Sequence, residues 1–102
     1  MIYKVFSLYD SAVEAYNTPM FLRTNGEAIR SLTAAVNDPE STICKWPEQY
    51  VLFELGTYDD SNARFEFLAA PKSLGAALQY KEQPKEKIPL EAAITKLKSK
   101  GV

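Results

Sequence analysis

The 102-residue sequence contains no histidine and only one cysteine, Cys44. Histidine is the commonest general acid or base near neutral pH and the commonest metal ligand, so its absence argues against Ser-His-Asp chemistry and structural zinc sites. A single cysteine excludes an internal disulfide. No apolar run approaches the roughly 20 residues of a membrane-spanning helix. These absences predict a protein that is not an enzyme, has no metal or other cofactor and does not engage a membrane.

Glycine is also scarce, with four residues, and none lies in a phosphate-binding loop pattern. Gly56 interrupts a strand-like run, which indicates a bulge or a close approach of another backbone. Asp59-Asp60 is the only adjacent acidic pair. Because Ser61 and Asn62 follow it, the pair favours a hairpin turn over a cation site.

The charge that is present is unevenly distributed. The whole chain has a net charge of −1, with −4 over residues 1–80 and +3 over residues 81–102, where six lysines lie. The start of the chain shows no signal-peptide pattern, which predicts an intracellular protein. We expect an α+β core domain at 1–80, followed by a lysine-rich linker and an amphipathic C-terminal helix at 81–102.

Three segments have the pattern of strands. Residues 2–9 alternate, with Ile2, Lys4, Phe6 and Leu8 on one face and Tyr3, Val5, Ser7 and Tyr9 on the other. Residues 50–58 and 63–69 are expected to pair as a hairpin. The core is expected to include Phe6, Phe53, Phe65 and Phe67.

The main helix is expected over residues 25–37. Thr24 and Glu27 have the spacing of a capping box, in which Glu27 reaches back to the amide of Thr24, and Asp38-Pro39 ends the helix. Shorter helical turns are expected at 12–16, 46–49 and 74–80, with a break at 71–73. The fold class is therefore α+β: a small antiparallel sheet of the N-terminal strand plus a hairpin, one main helix packed on one face, and short C-terminal helices.

Rings and cations on the strands and near the helix start suit single-stranded nucleic acid, because bases stack on rings while cations follow the phosphates. A helix N-terminus also attracts phosphate. The candidate residues are Lys4, Tyr9, Arg23, Arg30, Tyr58, Arg64, Lys96 and Lys98. The alternative is that these aromatic residues are structural and these cations are simply solvated.

Leu90, Ile94 and Leu97 form a narrow apolar stripe among the lysines of the tail. The stripe can dock onto its own domain, pair with a second copy as a homodimer or bind a partner protein. The lysines around it can instead contact a nucleic-acid backbone. The sequence leaves these alternatives open.

Several segments carry a resemblance, in matching order over about residues 2–80. They are residues 2–11 with 14–16, Pro19-Met20-Phe21, Gly26 with 28–30, residues 36–39, and Pro47-Glu48 with Tyr50, residues 52–56 and Asp59-Asp60. In these segments the chain resembles the small nonstructural protein of gokushoviruses, which are single-stranded-DNA phages of the Microviridae. Trp46 and Gln49 depart from the family pattern, which often has a histidine and an aspartate there.

The resemblance implies a non-virion protein of the bacterial host cytoplasm that binds single-stranded DNA. Its implied role is in viral DNA replication, in switching synthesis towards single-stranded genomes for packaging. The alternative is a protein–protein interaction module or homodimer that engages viral or host replication proteins without direct DNA contact.

Overall fold

The computed structural model describes residues 1–82, which form a five-stranded antiparallel sheet and one main helix. The strands are β1 (Ile2–Asp10), β2 (Ala15–Tyr16), β3 (Met20–Leu22), β4 (Tyr50–Asp59) and β5 (Arg64–Ala76). The helices are α1 (Asn25–Val36) and the short α2 (Thr42–Lys45), with 3₁₀ turns at Pro47–Gln49 and Ala77–Tyr80. The predicted α+β fold class is confirmed.

The sheet is built around β1 and β4, which pair antiparallel along most of their lengths. β5 pairs with the other side of β4, so the predicted hairpin is present. β2 and β3 both pair with the remaining side of β1, β2 near its end and β3 near its middle. Within residues 1–82, β5 therefore forms one edge of the sheet.

The helix α1 begins as its sequence predicts. The Thr24 hydroxyl oxygen accepts a hydrogen bond from the backbone N–H of Glu27 at 3.1 Å. The Glu27 carboxylate accepts from the backbone N–H of Arg23 at 2.7 Å, not from Thr24 as the capping-box pattern predicts. The cap residue and the helix position are confirmed, and the reciprocal bond falls one residue earlier.

The core lies between α1 and one face of the sheet. The helix contributes Ala28, Leu32 and Val36, and the sheet contributes Phe6, Leu8, Tyr50 and Leu52. Phe6, Leu52 and Val36 are fully buried. The alternation predicted for β1 is thus confirmed, with the Phe6 and Leu8 side turned towards the helix.

Two local predictions are wrong. Residues 12–16 form a turn and the short strand β2 rather than a helical turn. Residues 71–73 do not break the chain, because β5 continues through Pro71. The proline lies at an irregularity in the pairing of β4 with β5, where residues 68–71 lie opposite the single residue Leu55. Edge strands tolerate proline at such bulges.

The end of the described chain is held near the last turn of α1. The Asn37 side chain donates to the carbonyls of Thr33 and Tyr80, at 2.8 and 3.1 Å, and accepts from the backbone N–H of Glu82 at 2.8 Å. The Lys81 ammonium donates to the Cys44 carbonyl at 2.9 Å. The predicted helix over 90–98 lies outside the described residues.

Candidate nucleic-acid interface

The sheet has a second face, which points away from α1 and is called the open face below. Cross-strand partners project to the same side of a sheet, and Tyr3 lies opposite Tyr58 while Ser7 lies opposite Phe53. Val5 also belongs to this side; it is buried but is not part of the core cluster beneath the helix. Within residues 1–82, no helix packs on this face.

The first ring cluster on the open face consists of Tyr9, Tyr16 and Phe53. The ring centres of Tyr9 and Tyr16 are 4.9 Å apart, and those of Tyr16 and Phe53 are 5.7 Å apart with an edge-on geometry. Pairing of β2 with β1 places Tyr16 directly beside Tyr9. Tyr16 remains 48% exposed, so the cluster presents ring surface to solvent.

The second ring cluster consists of Phe21, Tyr58, Phe65 and Phe67. Tyr58 contacts Phe65 at 4.7 Å between ring centres and Phe21 at 5.5 Å. Phe65 and Phe67 stack at 5.5 Å with their planes only 12° apart. Phe67 is 66% exposed, and Phe21 and Phe65 are also exposed.

A shallow apolar cavity of about 350 Å³ opens within the second ring cluster. It is lined by Tyr3, Phe21, Tyr58, Ala63 and Phe65. Its walls are one aromatic residue from each of four strands, together with Ala63 at the end of the hairpin loop, so its lining is mostly apolar. Flat apolar walls of this kind suit a planar ring better than a charged group.

The structure separates the predicted cations from these rings. The Lys4 ammonium is directed to the helix side, where it donates to Asn25 Oδ1 at 2.9 Å and lies 3.5 Å from a Glu54 carboxylate oxygen. Arg64 lies opposite Asp59 in the register and alternates with Phe65, which puts it on the side away from the rings. Of the predicted candidates within residues 1–82, only Tyr9 and Tyr58 lie on the open face.

Arg23 and Arg30 are exposed on either side of the start of α1. The Glu27 carboxylate lies at the same helix end and accepts the Arg23 amide. A negative charge therefore already occupies the position that favours an anion at a helix N-terminus. The remaining candidates, Lys96 and Lys98, and the stripe of Leu90, Ile94 and Leu97 lie outside the described residues.

Sequence patterns missed five rings of the open face: Tyr16, Phe21, Phe53, Phe65 and Phe67. The expectation that Phe53, Phe65 and Phe67 belong to the core is wrong, because Phe53 is only half-buried, Phe65 and Phe67 are exposed, and none of the three belongs to the helix-side cluster. Their alternation with Arg64 and Glu66 showed that they share a face. Which face that is depends on the irregular pairing of β4 with β5, and no sequence signal gives it.

The acidic pair at the hairpin is engaged in local contacts. Asp59 Oδ1 accepts from the backbone N–H of Ser61 at 2.9 Å and from its hydroxyl at 2.6 Å. These hydrogen bonds lower the pKa of Asp59 below its usual value. Asp60 Oδ1 accepts from the Met1 ammonium at 2.6 Å. The turn interpretation of this pair is confirmed.

Residues 1–82 contain no cluster of three or more acidic, cysteine or histidine side chains placed to bind a metal ion. Cys44 is a free, half-buried thiol. No helix in the same part of the chain has both the length and the apolar character needed to span a bilayer.

Comparison with family models identifies a family for this chain. The family model described as Phage ORF5 protein matches residues 3–80, which include all of the strands and helices given above except the first residue of β1. No curated protein and no solved structure matches the chain.

Proposed function

The chain belongs to the Phage ORF5 protein family, and from this premise we propose that it is a non-enzymatic phage protein that binds single-stranded DNA through the open face of its sheet. The gokushovirus resemblance supports a nonstructural protein of the host cytoplasm. In this role it assists viral DNA replication and the synthesis of single-stranded genomes for packaging.

The observation that carries the proposal is the concentration of aromatic rings on the open face. A solvent-facing side of an antiparallel sheet is normally polar, whereas this side presents two ring clusters with several rings more than 40% exposed. Exposed apolar patches of this kind mark interaction sites. Bases of single-stranded DNA stack on such rings for about 1–3 kcal/mol each, whatever the base sequence.

The charge of the described residues favours a second role for the tail lysines. Residues 1–82 hold seven Lys and Arg against eleven Asp and Glu, a net charge of −4, and the open face has rings rather than cations. Phosphate contacts are therefore proposed for the tail lysines, including Lys96 and Lys98. Rings would hold the bases while the tail neutralises the backbone.

The experiment is fluorescence anisotropy with a labelled oligothymidine, on the full chain and two variants, at low and high salt. Phe67→Ala removes the most exposed ring of the second cluster, which is 66% exposed, and Trp46→Ala removes a ring that is 53% exposed and lies off the sheet. We expect Phe67→Ala to weaken binding by roughly tenfold and Trp46→Ala to leave it unchanged. Absence of binding at low salt by folded protein, or equal losses in the two variants, contradicts the proposal.

A second candidate function is a protein-interaction module that engages viral or host replication proteins without touching DNA. The acidic character of the described residues favours it, because a net charge of −4 repels phosphate. The anisotropy measurement separates the two. If the folded parent chain binds no oligonucleotide while Phe67→Ala abolishes capture of a purified replication protein, the interaction module is supported and DNA binding is not.

A further inference from the structure

We propose that two copies of the chain pair through the exposed edge of β5, antiparallel and about a twofold axis at Phe65. The sheet then continues from one copy into the other. The pairing follows from the edge strand alone, and its consequence for DNA rests on the proposed function.

The edge of β5 is long and uncovered in the part of the chain that the structure describes. β5 pairs with β4 on one side and with no strand on the other, and residues 60–73 are all exposed. An edge strand presents unpaired N–H and C=O groups that can template another strand. The edge therefore has the hydrogen-bonding capacity to accept a partner.

Features that hinder pairing with another strand occur only in the second half of this edge. Proteins protect edge strands from such pairing with bulges, proline and lysine. β5 has all three between residues 68 and 72, namely the irregularity opposite Leu55, Pro71 and Lys72. Residues 64–67 have none of them. The segment available for regular pairing is therefore Arg64-Phe65-Glu66-Phe67.

The charges of this segment select one register. In a regular antiparallel pair of identical strands, one residue lies opposite the same residue of the second copy, and the twofold axis passes between the two. Residues equally far from this position on either side then face each other. An axis at Phe65 places Arg64 opposite Glu66 of the second copy, twice. An axis at Glu66 places the two glutamates opposite each other, and an axis at Phe67 places Glu66 opposite a leucine.

Neither Arg64 nor Glu66 forms a salt bridge within residues 1–82. Both are therefore available for cross-strand pairs, and opposite charges that face each other on adjacent strands stabilise the pairing. The axis at Phe65 is the register that satisfies both charges.

The pairing joins the open faces of the two copies. Phe65 and Phe67 lie on this face, and directly opposed residues project to the same side, so Phe65 of one copy lies beside Phe65 of the second. If the open face binds single-stranded DNA, the second copy contributes rings to the site. One oligonucleotide would then cross both copies.

The first test is sedimentation velocity of the full chain without DNA, from micromolar to millimolar concentration. We expect a dimer whose dissociation constant rises roughly tenfold or more in Glu66→Arg and in Arg64→Glu, because each variant places like charges opposite each other. The double variant R64E/E66R restores the opposite-charge pairs and should restore dimerisation. A parent chain that stays monomeric, or a double variant no stronger than the single ones, overturns the proposal.

The second test fixes the register. In a Cys44→Ser background, Phe65→Cys and Phe67→Cys each provide a single thiol per copy. The axis at Phe65 puts the two F65C thiols face to face, within disulfide range, and separates the F67C positions by roughly 13 Å. We expect rapid disulfide-linked dimers from F65C under a mild oxidant, and faster cross-linking of F67C contradicts the register. Neither test involves DNA, so both results can be interpreted even if the protein does not bind DNA.

Discussion

Gly56 lies where the backbones of β4 and β5 approach each other closely. A Cβ at this position would collide with the Glu66 carbonyl oxygen and would lie 2.8 Å from the Cα of Phe67. Only a residue without a side chain leaves room for β5 to pair with β4 at this position, where Phe67 lies opposite Gly56. An isolated glycine inside a strand pattern indicated this close approach from the sequence, and the structure confirms it.

We predict that Gly56→Ala lowers the free energy of unfolding by about 2 kcal/mol, because backbone atoms rather than a flexible side chain must move aside. Gly26→Ala is the matched control, since its Cβ meets only the Thr24 hydroxyl at 3.7 Å and alanine favours helix. Urea unfolding measures both variants. Equal stability of Gly56→Ala and the parent chain would show that the two strands are not packed this closely.

Tyr50 is a second residue whose environment can be tested, through the pH dependence of stability. Burial, and then the negative charge of Asp10, raise the pKa of its phenol above the usual 10.0. A raised pKa in the folded state means that the stabilising effect of this group is complete below pH 10. It is lost as the pH rises through the folded-state value.

We predict that Tyr50→Phe has nearly the stability of the parent chain at neutral pH, where the phenol is protonated in both the folded and the unfolded state. Above pH 10 the parent chain should lose stability relative to the variant, since only the parent chain must keep a phenol protonated in order to fold. Chemical denaturation at several pH values provides the comparison. A difference that stays constant across this range would mean that Tyr50 ionises freely in the folded protein.

At the scale of elements, the long segments and the 3₁₀ turns within 46–49 and 74–80 followed from local pattern, and the pairing of the two shortest strands did not. The alternation in β1, the cap of α1 and the loop of the β4–β5 hairpin are local signals, and each predicted its element. β2 and β3 are two and three residues long and exist because β1 offers them an edge. Their rings, Tyr16 and Phe21, join the open face through that pairing, so no local pattern could assign them there.

The cap of α1 supplies a prediction at this scale. Thr24→Ala removes the oxygen that accepts the Glu27 amide, and loss of such a cap costs about 1 kcal/mol of stability. Ser31→Ala, at an exposed position within the helix, should be neutral or slightly stabilising. Thermal unfolding of the two variants side by side checks this. A Thr24→Ala variant as stable as Ser31→Ala would contradict the capping role.

At the scale of the whole molecule, rings and positive charge are segregated. The described residues carry the aromatic open face and a net charge of −4, while residues 83–102 hold five of the six lysines that follow residue 80. The sequence revealed this charge asymmetry directly. It could not reveal that the strand cations turn away from the rings, because that depends on which side of the sheet the helix covers.

We predict that the tail lysines account for the salt dependence of the proposed DNA binding. Lys96→Gln together with Lys98→Gln should lower the slope of log affinity against log salt by about 1.4. Lys4→Gln should leave that slope unchanged, because Lys4 is engaged with Asn25 and Glu54. Anisotropy titrations at several salt concentrations measure both slopes. A larger change from Lys4→Gln would place the phosphates on the helix side of the sheet.

The most direct measurement of the central claim is a backbone NMR titration of the labelled full chain with an unlabelled single-stranded oligonucleotide. We predict shift changes concentrated on β1, β3, β4 and β5 around Tyr3, Phe21, Tyr58 and Phe67, with α1 unchanged. Changes concentrated on α1, or a spectrum of folded protein that does not respond to the oligonucleotide, would contradict an aromatic DNA-binding face.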